Sequence, residues 1–177
     1  MNFIQRRLIK RYISDNKKNR DIFVTSLAKA KNVGVLCHIS TEDTYKEIYT
    51  VLNKLESVTN RTVWLLGYVN ADVVPEFCQS QPKVDFFCNK DLNWYGKPEK
   101  EQVVAFLKED FDILIDFSYQ SFDITRVLLA VSPAHFIVGA EKSNGTFYDL
   151  LINSDNTLPL MDLLDNVVRY TKNLAGE

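Results

Sequence analysis

Acidic and hydroxyl side chains close a nearly continuous apolar stretch of this 177-residue chain. Residues 111–118 form a nearly continuous apolar run that closes on Asp116 and Ser118. Such a run is typical of a buried parallel strand, and the carboxyl ends of parallel strands open into the crevice that binds ligands in α/β proteins. A carboxylate there can orient an imidazole for acid–base chemistry, and His38 lies near the end of another apolar run. The alternative is that Asp116 caps a loop or pairs with a base.

A phosphate site is the second chemistry that the residue types allow. Ser40 and Thr41 follow the run that contains His38 and precede a pattern of helical spacing. Free N–H groups and the helix dipole favour an anion at such a position. However, the loop has neither G-x-G-x-x-G nor a Walker lysine, and capping of the helix by Ser40 accounts for the same residues. The ligand-binding candidates are therefore His38, Ser40, Thr41, Asp116 and Ser118, and no catalytic residue, metal site or cofactor is predicted.

Residues 89–97 combine aromatic rings with lysines. Trp94 and Tyr95 lie between Lys90 and Lys97. Aromatic rings can stack on a base or anchor a protein interface, while lysines meet phosphate or acidic side chains. These four residues are therefore partner-binding candidates. The alternative is that Trp94 folds back as a lid over the edge of the sheet.

The charge of the chain is divided unevenly. The first 20 residues carry seven bases and one acid, a net charge of +6, and the remainder carries 14 bases and 22 acids, a net charge of −8. Apolar residues recur at helical spacing from residue 3 to about 18, which predicts an amphipathic helix with Arg6, Arg7, Lys10 and Arg11 on its polar side. These bases would be the solvated face of a docked helix, or would contact RNA or DNA phosphate. Anionic lipid is the less favoured partner because the apolar face is modest and lacks tryptophan.

Strands and helices alternate along the rest of the chain. Strands are predicted at residues 32–39, 61–69, 84–88, 111–118 and 134–139. We therefore expect an α/β fold, a three-layer Rossmann-like sandwich with a mostly parallel sheet in the order 3-2-1-4-5. Asn144-Gly145 is typical of a hairpin turn, so residues 147–152 are predicted to return antiparallel beside the fifth strand. The basic helix (residues 1–20) would precede a single domain (residues 21–177).

Cysteine usage and hydropathy bear on the cellular location. The chain has three cysteines without C-x-x-C spacing, which favours neither a disulfide framework nor a zinc site and fits a reducing cytoplasm. No apolar segment approaches the roughly 20 residues that cross a bilayer. The arginine-rich start lacks the apolar core of a signal peptide. A cytoplasmic location is therefore expected.

Two resemblances bear on the fold. The first is carried by the basic leader helix, Leu66-Gly67-Tyr68, residues 85–97, residues 111–118 and Tyr148-Asp149-Leu150. Through these segments the chain resembles, across nearly its whole length, a family of small uncharacterised bacterial α/β proteins, and no activity comes with that resemblance. Residues 111–116 and 128–139 are also similar to part of the amino-terminal Rossmann-like half of heptosyltransferases. That local resemblance implies a fold, but the chain lacks a second half for a sugar-nucleotide donor, so the complete transferase reaction is not expected.

Two functions remain open on the sequence. The favoured one is a non-catalytic binding protein whose basic helix and aromatic loop engage RNA, a ribonucleoprotein or a large protein partner. The alternative is a small enzyme or sensor that binds a phosphorylated sugar or nucleotide at the switch point of the sheet. Convergence of His38, Asp116 and Ser118 in an open pocket would favour the enzyme, and a filled site would count against it. The oligomeric state is not specified by the sequence.

Overall fold

A computed structural model describes residues 3–17, 19–118, 120, 122–140, 147–152 and 158–177. Within these residues, strands and helices alternate after an amino-terminal helix. The elements are α1 (Phe3–Asn16), β1 (Val33–His38), α2 (Glu42–Thr59), β2 (Trp64–Val69), β3 (Val84–Cys88), a 3₁₀ turn (Asn89–Asp91), α3 (Glu101–Phe106), β4 (Ile113–Asp116), α4 (Asp123–Val131), β5 (Phe136–Ala140), β6 (Leu150–Ile152) and α5 (Leu160–Leu174).

The six strands form one sheet in the order β3-β2-β1-β4-β5-β6. The α/β fold and the predicted order of neighbours are confirmed. The predicted antiparallel edge is wrong, because β6 runs parallel to β5 with Val138 opposite Leu150. The predicted turn at Asn144-Gly145 lies outside the described residues.

Contacts around Asp149, the residue before the sixth strand, hold it beside β5. The backbone N–H of Asp149 donates to the Ile137 carbonyl (2.8 Å), and its carboxylate accepts from the Ile137 N–H (2.7 Å). The same carboxylate forms an ion pair with Arg20, which lies in the segment between α1 and β1. These bonds hold Asp149 against the start of β5, next to the parallel pairing of β6 with β5.

Both faces of the sheet are covered. Ile113 and Ile115 of the central strand β4 point into a core shared with α2 and α5, and Leu114 points into a core shared with α1, α3 and α4. All three side chains are fully buried. Strands that are buried on both faces need apolar residues at successive positions, which explains the continuous run in the sequence.

The helix α1 is docked on the body of the protein. Ile9 is 6% exposed, and Tyr12 and Ile13 pack against the core on the α4 side. Beyond the helix, Arg20 donates to the carbonyls of Ala134 (2.7 Å) and His135 (3.3 Å) in addition to its ion pair with Asp149. One of the seven bases of the leader therefore serves to attach it to the body.

His135 also holds the segment that connects α1 to β1. Its Nδ1 lies 2.7 Å from the Asp21 carbonyl oxygen, and its Nε2 lies 3.2 Å from the Asp110 carboxylate. Its ring contacts Phe23 at a centroid distance of 4.3 Å. These contacts give His135 a structural role at the start of β5.

Among the described residues, no helix is both long enough and apolar enough to cross a bilayer.

Candidate functional site

The strand ends place Asp116 and Ser118 inside the protein. Asp116 is 1% exposed and Ser118 is 2% exposed. One carboxylate oxygen of Asp116 accepts from the Ser118 N–H (2.9 Å), and the other accepts from the Tyr148 hydroxyl (2.7 Å). Asp116 thus caps the loop that follows β4, in agreement with the structural alternative for this residue. The Oγ of Ser118 has no hydrogen-bond partner in the described part of the chain.

Tyr148 covers Asp116 from the edge of the sheet. Burial, the negative charge of Asp116 and the hydrogen bond to it together raise the pKa of Tyr148, so the phenol stays neutral and donates a hydrogen bond to the carboxylate. Its ring lies against Gly139, where a Cβ atom would overlap Cε1 and come within 2.8 Å of Cδ1. A glycine on β5 is therefore what allows the ring to reach Asp116.

His38 is half-buried under an aromatic ring. The centroid of its imidazole lies 4.2 Å from that of Phe122 and 5.9 Å from that of Tyr68. Burial lowers the pKa of His38, which favours the neutral imidazole at neutral pH. Although β1 and β4 are neighbours as predicted, Asp116 and Ser118 are buried, and of these three side chains His38 alone is partly exposed.

Ser40 and Thr41 are occupied with the start of α2. Thr41, rather than Ser40, is the N-cap residue, and its Oγ1 accepts from the Thr44 N–H (3.2 Å). The Ser40 hydroxyl lies 3.1 Å from that of Thr44. Glu42 and Asp43 fill the first turn of the helix, where their charges already complement the helix dipole. The geometry is that of a capped helix rather than of a phosphate site.

The aromatic loop, residues 89–98, contains a compact turn at residues 92–98. A bridge between Leu92 and Pro98 closes it, and the Asn93 side chain accepts from the N–H groups of Tyr95 (3.2 Å) and Lys97 (3.0 Å). Gly96 supplies the positive φ of 94° that the turn requires. The loop is therefore held in one conformation by its own hydrogen bonds.

The two aromatic side chains of this loop point in different directions. Trp94 is 63% exposed and does not fold back as a lid. Tyr95 is half-buried and packs against the core on the α1 side. The Gln5 side chain donates to the Trp94 carbonyl (2.6 Å), and the Lys97 ammonium lies 5.7 Å from the centre of the Tyr12 ring. The aromatic loop and α1 are therefore attached to each other.

The remaining partner-binding candidates lie at the surface. Arg6, Arg7, Lys10 and Arg11 are all exposed on the side of α1 that faces away from the body, and Lys90 is also exposed. Arg11 is 3.5 Å from Asp15 in an ion pair open to solvent, which contributes little to stability. Docking of α1 thus leaves its basic face accessible.

A cavity of about 370 Å³ opens between α1, the aromatic loop and the start of α4. Its walls are mainly apolar and include Ile9, Ile13, Tyr95, Phe122, Val127 and Phe147. The sequence did not reveal this cavity, because its walls come from five separate segments. In each segment, the apolar residues of the wall are of the types that also fill a hydrophobic core. Of these six residues, only Tyr95 was a functional candidate on sequence grounds.

Metal and thiol chemistry find little support in the described part of the chain. No group of three or more His, Cys, Asp or Glu side chains there could hold a metal ion. Cys37, Cys78 and Cys88 are free and buried. Burial raises the pKa of the Cys78 thiol to about 11, which disfavours the reactive thiolate.

Comparison with known proteins gives a family and no activity. No curated protein and no solved structure matches this chain. The model of a family of unknown function, DUF6913, matches residues 3–174. Because that match covers almost the entire chain, the protein belongs to the DUF6913 family.

Proposed function

We propose that this protein is a non-catalytic binding protein that engages RNA or a ribonucleoprotein through the basic face of α1 and the exposed Trp94. The observation that carries the proposal is that Arg6, Arg7, Lys10 and Arg11 stay exposed while the opposite side of the same helix is buried. A row of exposed bases on a fixed helix attracts phosphates with little further ordering of the backbone.

Trp94 supports a nucleic acid as the partner. Its indole is mainly in solvent, on a loop that is held by internal hydrogen bonds and by Gln5 of α1. Aromatic side chains stack on unpaired bases, and each stack contributes about 1–3 kcal/mol. The hydrogen bond from Gln5 to the Trp94 carbonyl thus joins α1, which carries the bases, to the loop that carries the indole. The bacterial origin and cytoplasmic location expected from the sequence form part of this proposal.

The structure gives less support to a phosphorylated sugar or nucleotide at the switch point. Asp116 and Ser118 are inside the protein, and Ser40 and Thr41 are engaged with Thr44. A ligand at that position would have to displace existing hydrogen bonds of the protein.

The test is the salt dependence of binding to a fluorescein-labelled single-stranded RNA of mixed sequence, followed by fluorescence anisotropy. Neutralising the four bases of α1 by substitution with Gln should reduce the slope of log K against log salt by about 0.7 for each phosphate that the helix no longer neutralises, or about 2.8 in total. A control variant carries the same charge change at four exposed bases elsewhere, Lys31, Lys54, Arg61 and Lys108. Its slope should remain closer to that of the wild type.

The variant Trp94→Ala separates stacking from folding. Since the side chain is 63% exposed, its removal should change the free energy of unfolding by less than about 1 kcal/mol. RNA binding should weaken by roughly five- to 150-fold, which corresponds to the loss of one stacked base.

Three outcomes would contradict the proposal. They are equal salt slopes for the α1 variant and the control, the absence of RNA binding at low salt, and binding to anionic phospholipid vesicles in place of RNA. Affinity purification from native cells with and without nuclease gives an independent check. A partner recovered equally well after nuclease treatment would point to a protein surface instead.

A further inference from the structure

We propose that the cavity between α1, the aromatic loop and α4 binds a small amphipathic anion, a molecule with an apolar or aromatic body and one carboxylate-like group. This site is separate from the proposed RNA surface. It uses the inward-facing residues Ile9 and Ile13 of α1, whereas RNA would meet the outward-facing bases.

The position of the cavity is that of a ligand site. Tyr68 at the end of β2 and Phe122, just after the loop that follows β4, both line it, so it lies toward the carboxyl ends of the parallel strands. Its volume of about 370 Å³ falls at the lower end of the range of about 300–1,000 Å³ found for small-molecule pockets. A compact ligand would fit, and a dinucleotide would be too large.

The walls of the cavity require an apolar body. Ile9 and Ile13 form one side, and Phe122, Val127 and Phe147 contribute elsewhere. The hydroxyl of Tyr68 is already engaged, at 2.6 Å from Asn89 Oδ1. A sugar would leave several of its hydroxyls without partners against these walls, and each unsatisfied group costs free energy. The chemistry of the walls therefore favours a hydrocarbon or aromatic group.

The rim of the cavity favours a negative charge. Arg126 is exposed at the rim, with its guanidinium 5.9 Å from the centre of the Phe147 ring, and in the described part of the chain no ion pair joins it to a carboxylate. Asp123 also lies at the rim, but it occupies the first turn of α4, where the helix dipole stabilises its charge. The exposed bases of α1 add positive potential nearby. Arg126 is thus the positive charge that an anionic group would meet at the rim.

The experiment uses isothermal titration calorimetry with two anionic probes, octanoate and 1-naphthaleneacetate, and the neutral 1-naphthaleneacetamide. At least one anionic probe should show saturable one-to-one binding with a Kd below about 1 mM. Arg126→Gln should weaken binding of that probe by about tenfold or more, the effect of removing a charged partner. It should leave binding of the amide unchanged. Arg169→Gln, an exposed arginine on α5, is the matched control and should have no effect.

Filling the cavity tests its location. Val127→Trp and Ile13→Trp introduce bulk from α4 and α1, respectively, and each should abolish binding of the probes. Thermal unfolding identifies a filled variant that fails to fold. The comparison of Arg126→Gln with the wild type does not require either filled variant to fold. Filled variants that fold should still bind RNA with the wild-type salt slope, which separates binding in the cavity from binding on the basic face of α1.

The proposal is overturned if neither anionic probe binds saturably. It is also overturned if a folded, filled variant binds as the wild type does, or if the carboxylate and the amide lose equal affinity in Arg126→Gln.

Discussion

Tyr148→Phe is the most informative single change, because it removes one hydroxyl and keeps the ring that packs on Gly139. The hydroxyl donates to the Asp116 carboxylate at 2.7 Å, and Asp116 is 1% exposed, so water cannot easily replace the missing donor. Hydrogen bonds to charged groups contribute about 1.5–3 kcal/mol to stability. We therefore expect Tyr148→Phe to lower the free energy of unfolding by about 2 kcal/mol at pH 7.

The same change should cost less at alkaline pH. The pKa of Tyr148 in the folded protein is raised above its ordinary value of 10.0 by burial and by Asp116, so the stability it contributes is complete below pH 10 and is lost as the pH rises beyond that value. At pH 11 the unfolded chain gains about 1.4 kcal/mol from ionisation of this tyrosine, since one pH unit corresponds to 1.36 kcal/mol. The phenylalanine variant has no such group. The difference between the two proteins should therefore shrink by about 1.4 kcal/mol between pH 7 and pH 11.

Urea denaturation followed by circular dichroism gives the free energy of unfolding of each protein at pH 7 and at pH 11. The comparison requires that the variant and the wild type have the same denaturant slope. A double-mutant cycle with Asp116→Asn isolates the coupling between the two side chains from the other contacts of Asp116. A cost below about 0.5 kcal/mol at pH 7 would show that the hydrogen bond is not formed or is replaced by water. A difference that stays constant between pH 7 and pH 11 would refute the linkage argument.

Three further predictions concern stability, each measured by the same denaturation experiment. Because burial lowers the pKa of His38 below its ordinary value of 6.5, the free energy of unfolding should fall as the pH drops below that value. His38→Gln should flatten this part of the curve of stability against pH. An unchanged curve would contradict the lowered pKa of His38. Ile115→Ala should cost about 2–5 kcal/mol, as expected for a cavity in a central strand, and a cost under about 1 kcal/mol would argue against its burial. Gly139→Ala should cost about 1–3 kcal/mol because its methyl group meets the Tyr148 ring, and a neutral effect would show that the ring can move.

The order of the sheet could be predicted because apolar runs such as that around Leu114 must be buried on both faces, and the crossover rule then leaves few arrangements. The direction of β6, in contrast, could not be predicted from the sequence. A local signal such as Asn144-Gly145 shows where the backbone can turn, whereas the direction in which the chain then pairs is set by contacts in the folded protein. There β6 pairs parallel to β5, and Arg20, 129 residues away in the chain, forms an ion pair with Asp149 beside it. No local pattern contains that information.

The features of the candidate site could be predicted from the sequence only in part. The juxtaposition of β1 and β4 followed from strand order, but strand order does not say whether Asp116 faces solvent or the ring of Tyr148. That depends on Gly139, whose missing side chain admits the ring. The exposure of Trp94 similarly depends on hydrogen bonds within its loop, which residue types alone leave undetermined.

The docked position of α1 has a consequence for how two partners would influence each other. Its inner side chains Ile9 and Ile13 form one wall of the cavity, and its outer side carries the exposed bases. Any two partners that each prefer the docked helix are thermodynamically linked, and each raises the affinity of the other by the same factor. A small molecule and a polyanion that each bind more tightly when the helix is docked would thus influence one another without touching, and the helix itself would transmit the effect.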